Sequence, residues 1–232
     1  MSNKSISIII PTLNEEKNLK SLLPYLNEYK SPTTQIIVAD ACKTNDSTEG
    51  ICDDNNAVRV ECSQCSRASQ MNAGANKADG EILYFVHADA KPPKTFETDI
   101  NNTISDNYDF GIFSYKFDSD SFLLGINAKF TKRKGLFAGG GDQSIFMQKS
   151  TFEELGRFDT AYCIMEDFKL FHKAKKKGLR YRVVPNDVIV SARKYEKNSY
   201  LRVNFSNLVA FSMYHIGMHP TKIKKAYSYL LK

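Results

Sequence analysis

No apolar run in this chain approaches the roughly 20 residues that a membrane-spanning helix needs. Cysteine is sparse and odd in number, five in 232 residues, which argues against a disulfide framework. Cys62-Ser63-Gln64-Cys65 is a lone CxxC with no second pair and no histidine at finger spacing, so structural zinc is not expected and a redox role is secondary. The chain enters a strand almost at once, with no signal peptide. Reduced thiols in a cytoplasmic protein are the expectation. Internal repeats, low-complexity segments and linkers are absent. Neither charge sign dominates: 32 Lys and Arg against 26 Asp and Glu leave +6. That excess is too small for a nucleic-acid-packaging protein, and no nucleic-acid partner is expected. The basic residues cluster at Lys129–Lys134, Lys173–Arg180 and Lys222–Lys225, as solvated helix faces or as attraction to phosphates or anionic lipid.

What is present is a regular alternation. Ser5–Ile10 is a β-branched strand stopped by Pro11. Asn14 reads as an N-cap, with Glu15 and Glu16 in the first helical turn and Leu19, Leu22, Leu23 and Leu26 at helical spacing. Strands follow at Gln35–Ala39, Ala57–Cys62 and Ile82–Val86, separated by helices near 47–54 and 66–77. This β-α-β-α-β-α-β order over 90 residues predicts an α/β fold with a mostly parallel sheet flanked by helices. The second half is less regular. Helices are expected at 95–105, 122–134, a stretch opened by a Ser150/Glu153 capping box, and 166–177 closed by Gly178. Strands are expected at 109–117 and 143–148, with two short ones at 181–184 and 188–191. The last forty residues read as helix broken at His219-Pro220. One catalytic domain over 1–198 with a helical extension over 199–232 is the expected organisation.

Four polar clusters fall at strand ends or helix starts. They are Pro11–Glu16 after strand one, Asp40 at the end of strand two, Arg67, Gln70, Asn72 and Gly74 around the third helix, and Glu166-Asp167 at a helix start. His87 and Asp89 leave the fourth strand with one small residue between them, so both side chains can face one side. In open α/β sheets, ligands sit beyond this edge. Carboxylates, amides and an arginine there suit a nucleoside diphosphate and a divalent cation. Each cluster also has a plain structural reading, as dipole acids, turns or caps.

Taken in order, Ser7–Glu16, Arg67-Ala68-Ser69-Gln70-Met71-Asn72-Ala73-Gly74-Ala75, Phe85-Val86-His87-Ala88-Asp89, Gly141–Phe146, Met165-Glu166-Asp167, Ser191–Tyr195 and His219-Pro220 resemble the motifs of family 2 glycosyltransferases of the GT-A fold. More narrowly, they resemble the bacterial radical-SAM/selenodomain-associated transferases. The resemblance implies an inverting, metal-dependent transfer of a sugar from a nucleotide sugar, UDP- or GDP-linked, to a hydroxyl acceptor. It assigns Pro11, Asn14, Glu15, Asp40, Arg67, Asn72 and His87 to the nucleotide and Asp89 to Mg²⁺ or Mn²⁺. Asp167 becomes the general base, with Glu166 beside it. Gly141, Asp142, Gln143 and Arg193 fall on the acceptor or leaving-group side. Two departures bear on donor choice. The loop after Asp40 reads Ala41-Cys42-Lys43-Thr44-Asn45-Asp46 where glycines are usual, and Tyr195 stands where Trp is usual. A nucleotidyltransferase is the alternative enzyme, but Pro11–Glu16 replaces the glycine-rich loop it needs. A catalytically silent nucleotide-sugar-binding module is the alternative from another class.

The segment 200–216 is too polar to span a bilayer and too apolar for a fully solvated helix. It is expected to pack on the domain or on a second copy, or to lie on the inner face of a membrane near a lipid-linked acceptor.

Overall fold

The computed structural model describes residues 4–42, 44–135 and 138–231. The first half follows the predicted alternation: β1 (Ile6–Thr12), α1 (Glu16–Tyr29), β2 (Gln35–Ala41), α2 (Thr48–Asp54), β3 (Val58–Cys62), α3 (Arg67–Lys77) and β4 (Ile82–Phe85). The second half adds β5 (Ala90–Lys91), α4 (Phe96–Ser105), β6 (Phe110–Phe117), α5 (Phe122–Thr131), β7 (Ile145–Gln148), α6 (Lys149–Glu154), α7 (Glu166–Lys176), β8 (Tyr181–Val190), α8 (Arg193–Lys197), α9 (Tyr200–His215) and α10 (Pro220–Leu230). Among the described residues the strands form one sheet in the order β3-β2-β1-β4-β7-β6-β8-β5. β1 pairs in parallel with β2 and β4, and β2 with β3. β7 is antiparallel to β4 and β6, while β6 and β8 run parallel.

Period-two alternation decides which helix packs on which face. Ile8 and Ile10 of β1 join Leu19, Leu22, Leu23 and Leu26 of α1 and Phe96 and Ile100 of α4 in one core. Ile9 and Ile37 face the other way, onto Ala68, Met71 and Ala75 of α3 and Leu170 and Phe171 of α7. A sheet buried on both faces needs strands that are apolar throughout, and β1 and β4 are buried along their whole length. Small residues allow the close approaches of α3 to β1 and of the Phe146 ring to β6. A Cβ on Gly74 would lie 2.5 Å from Ile9 Cγ2, and one on Gly111 would lie 2.2 Å from the Phe146 ring.

Three local expectations are corrected. Asn14 does not cap α1: it has φ 54°, Glu15 occupies the cap position, and the Asn14 side chain accepts from Asn45 N–H at 2.8 Å. No Ser150/Glu153 capping box forms, because α6 already begins at Lys149 and Glu153 pairs with Arg157 instead. The two short strands expected at 181–191 are one strand, β8, which passes through Pro185 beside the register irregularity between Phe113 and Tyr115 of β6. The C-terminal helices form as expected, with Pro220 at the start of α10. No helix among the described residues is long and apolar enough to cross a membrane.

The glycines supply a stability test. Gly111→Ala forces a methyl into the Phe146 ring and is expected to destabilise the fold by about 1–3 kcal/mol. Gly50, inside α2 with nothing within 4 Å of its would-be Cβ, should stabilise it by about 0.5–1 kcal/mol when replaced by Ala. Urea denaturation of both variants reads the difference. Equal and opposite signs reversed from these would refute the packing argument.

Candidate active site

The polar clusters converge at the carboxyl edge of the parallel strands. At the end of β2, Asp40 is completely buried and is held by the guanidinium of Arg59, with Nε and Nη2 each 2.9 Å from Oδ2. Thr12 and Thr44 donate their hydroxyls to Oδ1. Gln70 ties the two strand ends together, its amide donating to Thr12 O at 2.6 Å and Ala39 O at 2.8 Å. Cys65 lies against Cys42, Sγ to Sγ 2.6 Å, rather than against Cys62. Lys43 falls outside the described residues.

Arg193, at the start of α8, reaches back across the sheet edge. Its Nη2 lies 2.9 Å from Glu15 Oε1 and 2.9 Å from Asp89 Oδ2, with Nη1 3.3 Å from Glu15 Oε2. One guanidinium therefore joins the loop after β1 to the segment after β4. Both carboxylates remain partly exposed. These contacts hold the Arg193 pKa above its ordinary value, first through the Glu15 hydrogen bond, against the opposing effect of burial.

A second group forms around α7. Met165 adopts a left-handed conformation, φ 65°, and turns the chain so that Glu166 and Asp167 open the helix. A long side chain is costly in that region. Both carboxylates are buried, 1% and 6% exposed. Arg67 Nε lies 2.7 Å from Glu166 Oε1, yet neither Glu166 oxygen has a well-aligned hydrogen bond among the described residues. Burial, then the neighbouring Glu166 charge, pushes Asp167 up to about 7. Arg67 acts against that shift, and Asp142 adds to it. The helix N-terminus favours the ionised forms through its free N–H groups and dipole. His87 meets this group from β4. A Cβ on Gly141 would lie 2.5 Å from His87 Cε1 and 2.6 Å from Asp167 Oδ2, so only glycine leaves these two side chains their positions. Burial and the Arg67 charge lower the His87 pKa to about 3, which keeps the imidazole neutral at ordinary pH.

The structure thus gathers Glu15, Asp89 and Arg193 in one cluster and Arg67, His87, Gly141, Glu166 and Asp167 in another. Asp142 is exposed beside the second. Pro11 is buried within β1 and Asn14 braces the loop after β2. Three residues assigned from the sequence have protein partners in this structure. Asn72, expected at the nucleotide, is engaged at both ends by the backbone of Phe158, at 2.9 and 3.1 Å. Gln143, expected on the acceptor side, is 3% exposed and accepts from Gly139 N–H at 2.7 Å, bracing the loop instead. Arg67, expected at the nucleotide phosphates, pairs with Glu166. Sequence reasoning also missed Arg59 as a partner of this edge, and it named Thr12 and Gln70 there without their partners. The available signal was a lone arginine between Val58 and Val60 on a strand neighbouring one that ends in Asp40.

A model of glycosyl transferase family 2 matches residues 7–175. The chain belongs to that family. The match spans every element from β1 to the body of α7 and sets aside the nucleotidyltransferase alternative. Among curated proteins, the chain is similar to poly(ribitol-phosphate) β-N-acetylglucosaminyltransferase TarS of Staphylococcus aureus, 27% identical over 149 residues. That alignment covers 61% of this chain and 23% of TarS, so the chain spans about a quarter of the length of the curated relatives it matches. Among solved structures, S. aureus TarS 1-349 in complex with UDP-GlcNAc superposes with a TM-score of 0.68 at 17% identity, over 98% of this chain and 71% of the other. Mannosyltransferase PcManGT from Pyrobaculum calidifontis, in complex with GDP-Man and Mn²⁺, gives 0.69 at 22% identity, over 99% and 70%. Glucosyl-3-phosphoglycerate synthase from Mycobacterium tuberculosis, with Mn²⁺, UDP and glucosyl-3-phosphoglycerate, gives 0.64 at 14%, over 93% and 81%. These likenesses establish the GT-A fold.

Asp40 without Arg59 would be a fully buried, uncompensated charge. Arg59→Ala is expected to cost about 3–5 kcal/mol of stability, and adding Asp40→Asn should recover part of it. Chemical denaturation of the single and double variants measures this. An Arg59→Ala protein as stable as the parent would show that the pair contributes nothing.

Proposed function

We propose that the chain transfers a sugar from a nucleoside-diphosphate sugar to a hydroxyl acceptor in one inverting displacement. The observation that carries this reading is Asp167: a buried carboxylate, raised to about 7, beside a neutral His87, with the Gly141 backbone in close approach to both. A carboxylate with that affinity for a proton is matched to take one from a hydroxyl near neutral pH. As the acceptor oxygen bonds to the anomeric carbon, its proton passes to Asp167. The bond from that carbon to the diphosphate oxygen breaks, and the nucleoside diphosphate leaves. With attack opposite the departing group, the anomeric configuration inverts and no covalent enzyme intermediate forms.

The diphosphate is placed at Glu15, Asp89 and Arg193. Asp89 offers a hard, partly exposed carboxylate, and Mg²⁺ or Mn²⁺ is commonly held by one or two carboxylates plus substrate phosphates. When bound, the cation neutralises charge developing on the diphosphate. Arg193 adds a fixed positive charge at the same place. The relatives solved with UDP-GlcNAc, UDP, GDP-Man and Mn²⁺ support this reading of donor class and cation without fixing the sugar or the base.

Asp167→Asn keeps the shape and removes the base. Turnover should fall about 10²–10⁴-fold with donor affinity little changed. The same loss in Glu166→Gln but not in Asp167→Asn would move the base to Glu166. In the parent, turnover should rise with pH to a plateau above about 7, as Asp167 ionises. A carboxyl whose folded pKa is raised makes the fold less stable as pH climbs through that value. Asp167→Asn should therefore raise the melting temperature more at pH 8 than at pH 4, and an equal effect at both would contradict the shift.

Asp89→Ala should abolish Mn²⁺-dependent binding of UDP or GDP in calorimetry. Undiminished binding by the folded variant would place the cation elsewhere.

A further inference from the structure

Helices α5 and α9 leave large apolar side chains in water. Phe122, Leu123 and Phe130 project from α5, and Leu201, Phe205 and Leu208 from α9; Phe122 is 79% exposed, Leu201 77% and Phe130 74%. The two helices meet at Asn127, whose Nδ2 donates to Asn204 Oδ1 at 3.0 Å and whose Oδ1 accepts from Tyr200 Oη at 2.8 Å. On each helix the buried residues fall to one side of that seam, Leu124 and Ala128 on α5, Val203 and Ala210 on α9. The exposed apolar residues fall to the other side on both. On each helix they share one outward stripe, and the two stripes belong to helices that meet at Asn127.

The two chain segments that carry these helices hold charge of one sign. None of the chain's 26 acidic residues falls in 121–135 or in 198–232. Those segments carry four Lys or Arg between 129 and 134 and four more between 202 and 225. Lys132 is paired with Asp187, but Lys129 and Arg133 make no ion pair among the described residues.

We infer that this face docks onto an anionic lipid bilayer, with Phe122, Phe130, Leu201 and Phe205 entering the headgroup boundary and the lysines facing lipid phosphates. Exposed aromatics and leucines rimmed by basic residues are the chemistry of interfacial binding. A second copy fits less well. A two-fold dimer would set the face against itself and bring its unopposed positive charge together. A nucleic acid would match the lysines and leave the apolar side chains unused.

The surface adjoins the candidate site. The Tyr195 ring, two residues after Arg193, stacks on Tyr200 at the start of α9 and so joins this surface to the Arg193 cluster. Docking there would hold the site at the bilayer surface, where a lipid-linked hydroxyl acceptor is presented. That consequence rests on the proposed transfer, whereas docking itself does not, and it is measured without donor or acceptor.

Co-sedimentation tests it with vesicles of phosphatidylcholine alone and of phosphatidylcholine with phosphatidylglycerol. The parent should bind the phosphatidylglycerol vesicles at low salt and dissociate as salt rises. Each of Lys129→Glu, Arg133→Glu and Lys222→Glu should weaken binding about fivefold or more. The variant Phe122→Ser, Phe130→Ser, Leu201→Ser, Phe205→Ser, changed only at exposed positions and checked for folding by circular dichroism, should lose binding. Absence of binding at low salt, equal binding to both vesicles, or unchanged binding by either variant set would overturn the inference. A dimer in analytical ultracentrifugation that the serine substitutions dissolve would also overturn it, assigning the face to a second copy.

Discussion

Two adjacent carboxylates, Glu166 and Asp167, are kept out of water at the start of α7, and the site is built around that constraint. Buried charge of one sign is expensive and is tolerated only with compensation. The compensation here is partial. Arg67 supplies one guanidinium, itself half exposed, and the helix terminus supplies dipole and N–H groups. Glu166 remains without an aligned hydrogen bond. The remaining imbalance appears as the raised proton affinity of Asp167. The left-handed turn at Met165 and the close approach at Gly141 both serve this arrangement, and each carries its own conformational restriction. Local rules are broken together at one place, which is where function is expected to lie.

The cluster around Arg193 follows a different logic. Its ion pairs with Glu15 and Asp89 are partly exposed, so they are soft and exchangeable rather than stabilising fixtures. Under the proposed transfer, a diphosphate would compete with these carboxylates for the guanidinium, and Asp89, released by Arg193, would be the residue to hold a cation. The buried acids are rigid where a proton must be placed, and the exposed ion pairs are adjustable where a ligand must enter and leave. His87 and Asp89 leave the same strand and serve one cluster each, so β4 fixes the relation between the two.

The first half of the fold was legible because β1 and β4 are apolar on both faces and the intervening helices carry leucine or alanine stripes. The same reading placed Glu15, Asp89, Glu166 and Asp167 at the sheet edge. It failed where a residue's partner is distant in sequence and local patterning is silent. Asn72 meets Phe158, 86 residues away, Arg67 meets Glu166, and Arg59 meets Asp40 from the neighbouring strand. An amide or a guanidinium near a site reads the same in sequence whether it faces a ligand or braces the backbone. The capping errors have a nearer cause: Asn14 and Ser150 each satisfy a cap pattern, but Asn14 is drawn to Asn45, and α6 starts one residue before Ser150.

The loop after β2 shows how an unusual motif can still do its structural task. Where the resembling family places glycines, this chain has Thr44, Asn45 and Asp46. Glycines shape such a loop by freedom of backbone angle. Here side chains shape it instead: Thr44 donates to Asp40 while its N–H closes a turn onto Ala41 O, Asn45 N–H is held by Asn14, and Asp46 accepts from Glu16 N–H and from Thr48. These bonds join the loop to the end of β2, to Asn14 after β1, and to the starts of α1 and α2, so the loop is fixed by its surroundings rather than by its own flexibility. Asp40, closed in by Arg59, Thr12 and Thr44, has no surface left for a ligand in this arrangement. A nucleotide base arriving at the β2 edge therefore meets the loop and Asn14 before it meets Asp40. Under the proposed transfer, the polar side chains of that loop would be the first to meet a donor's base, and the loop is also where the chain departs from the family pattern.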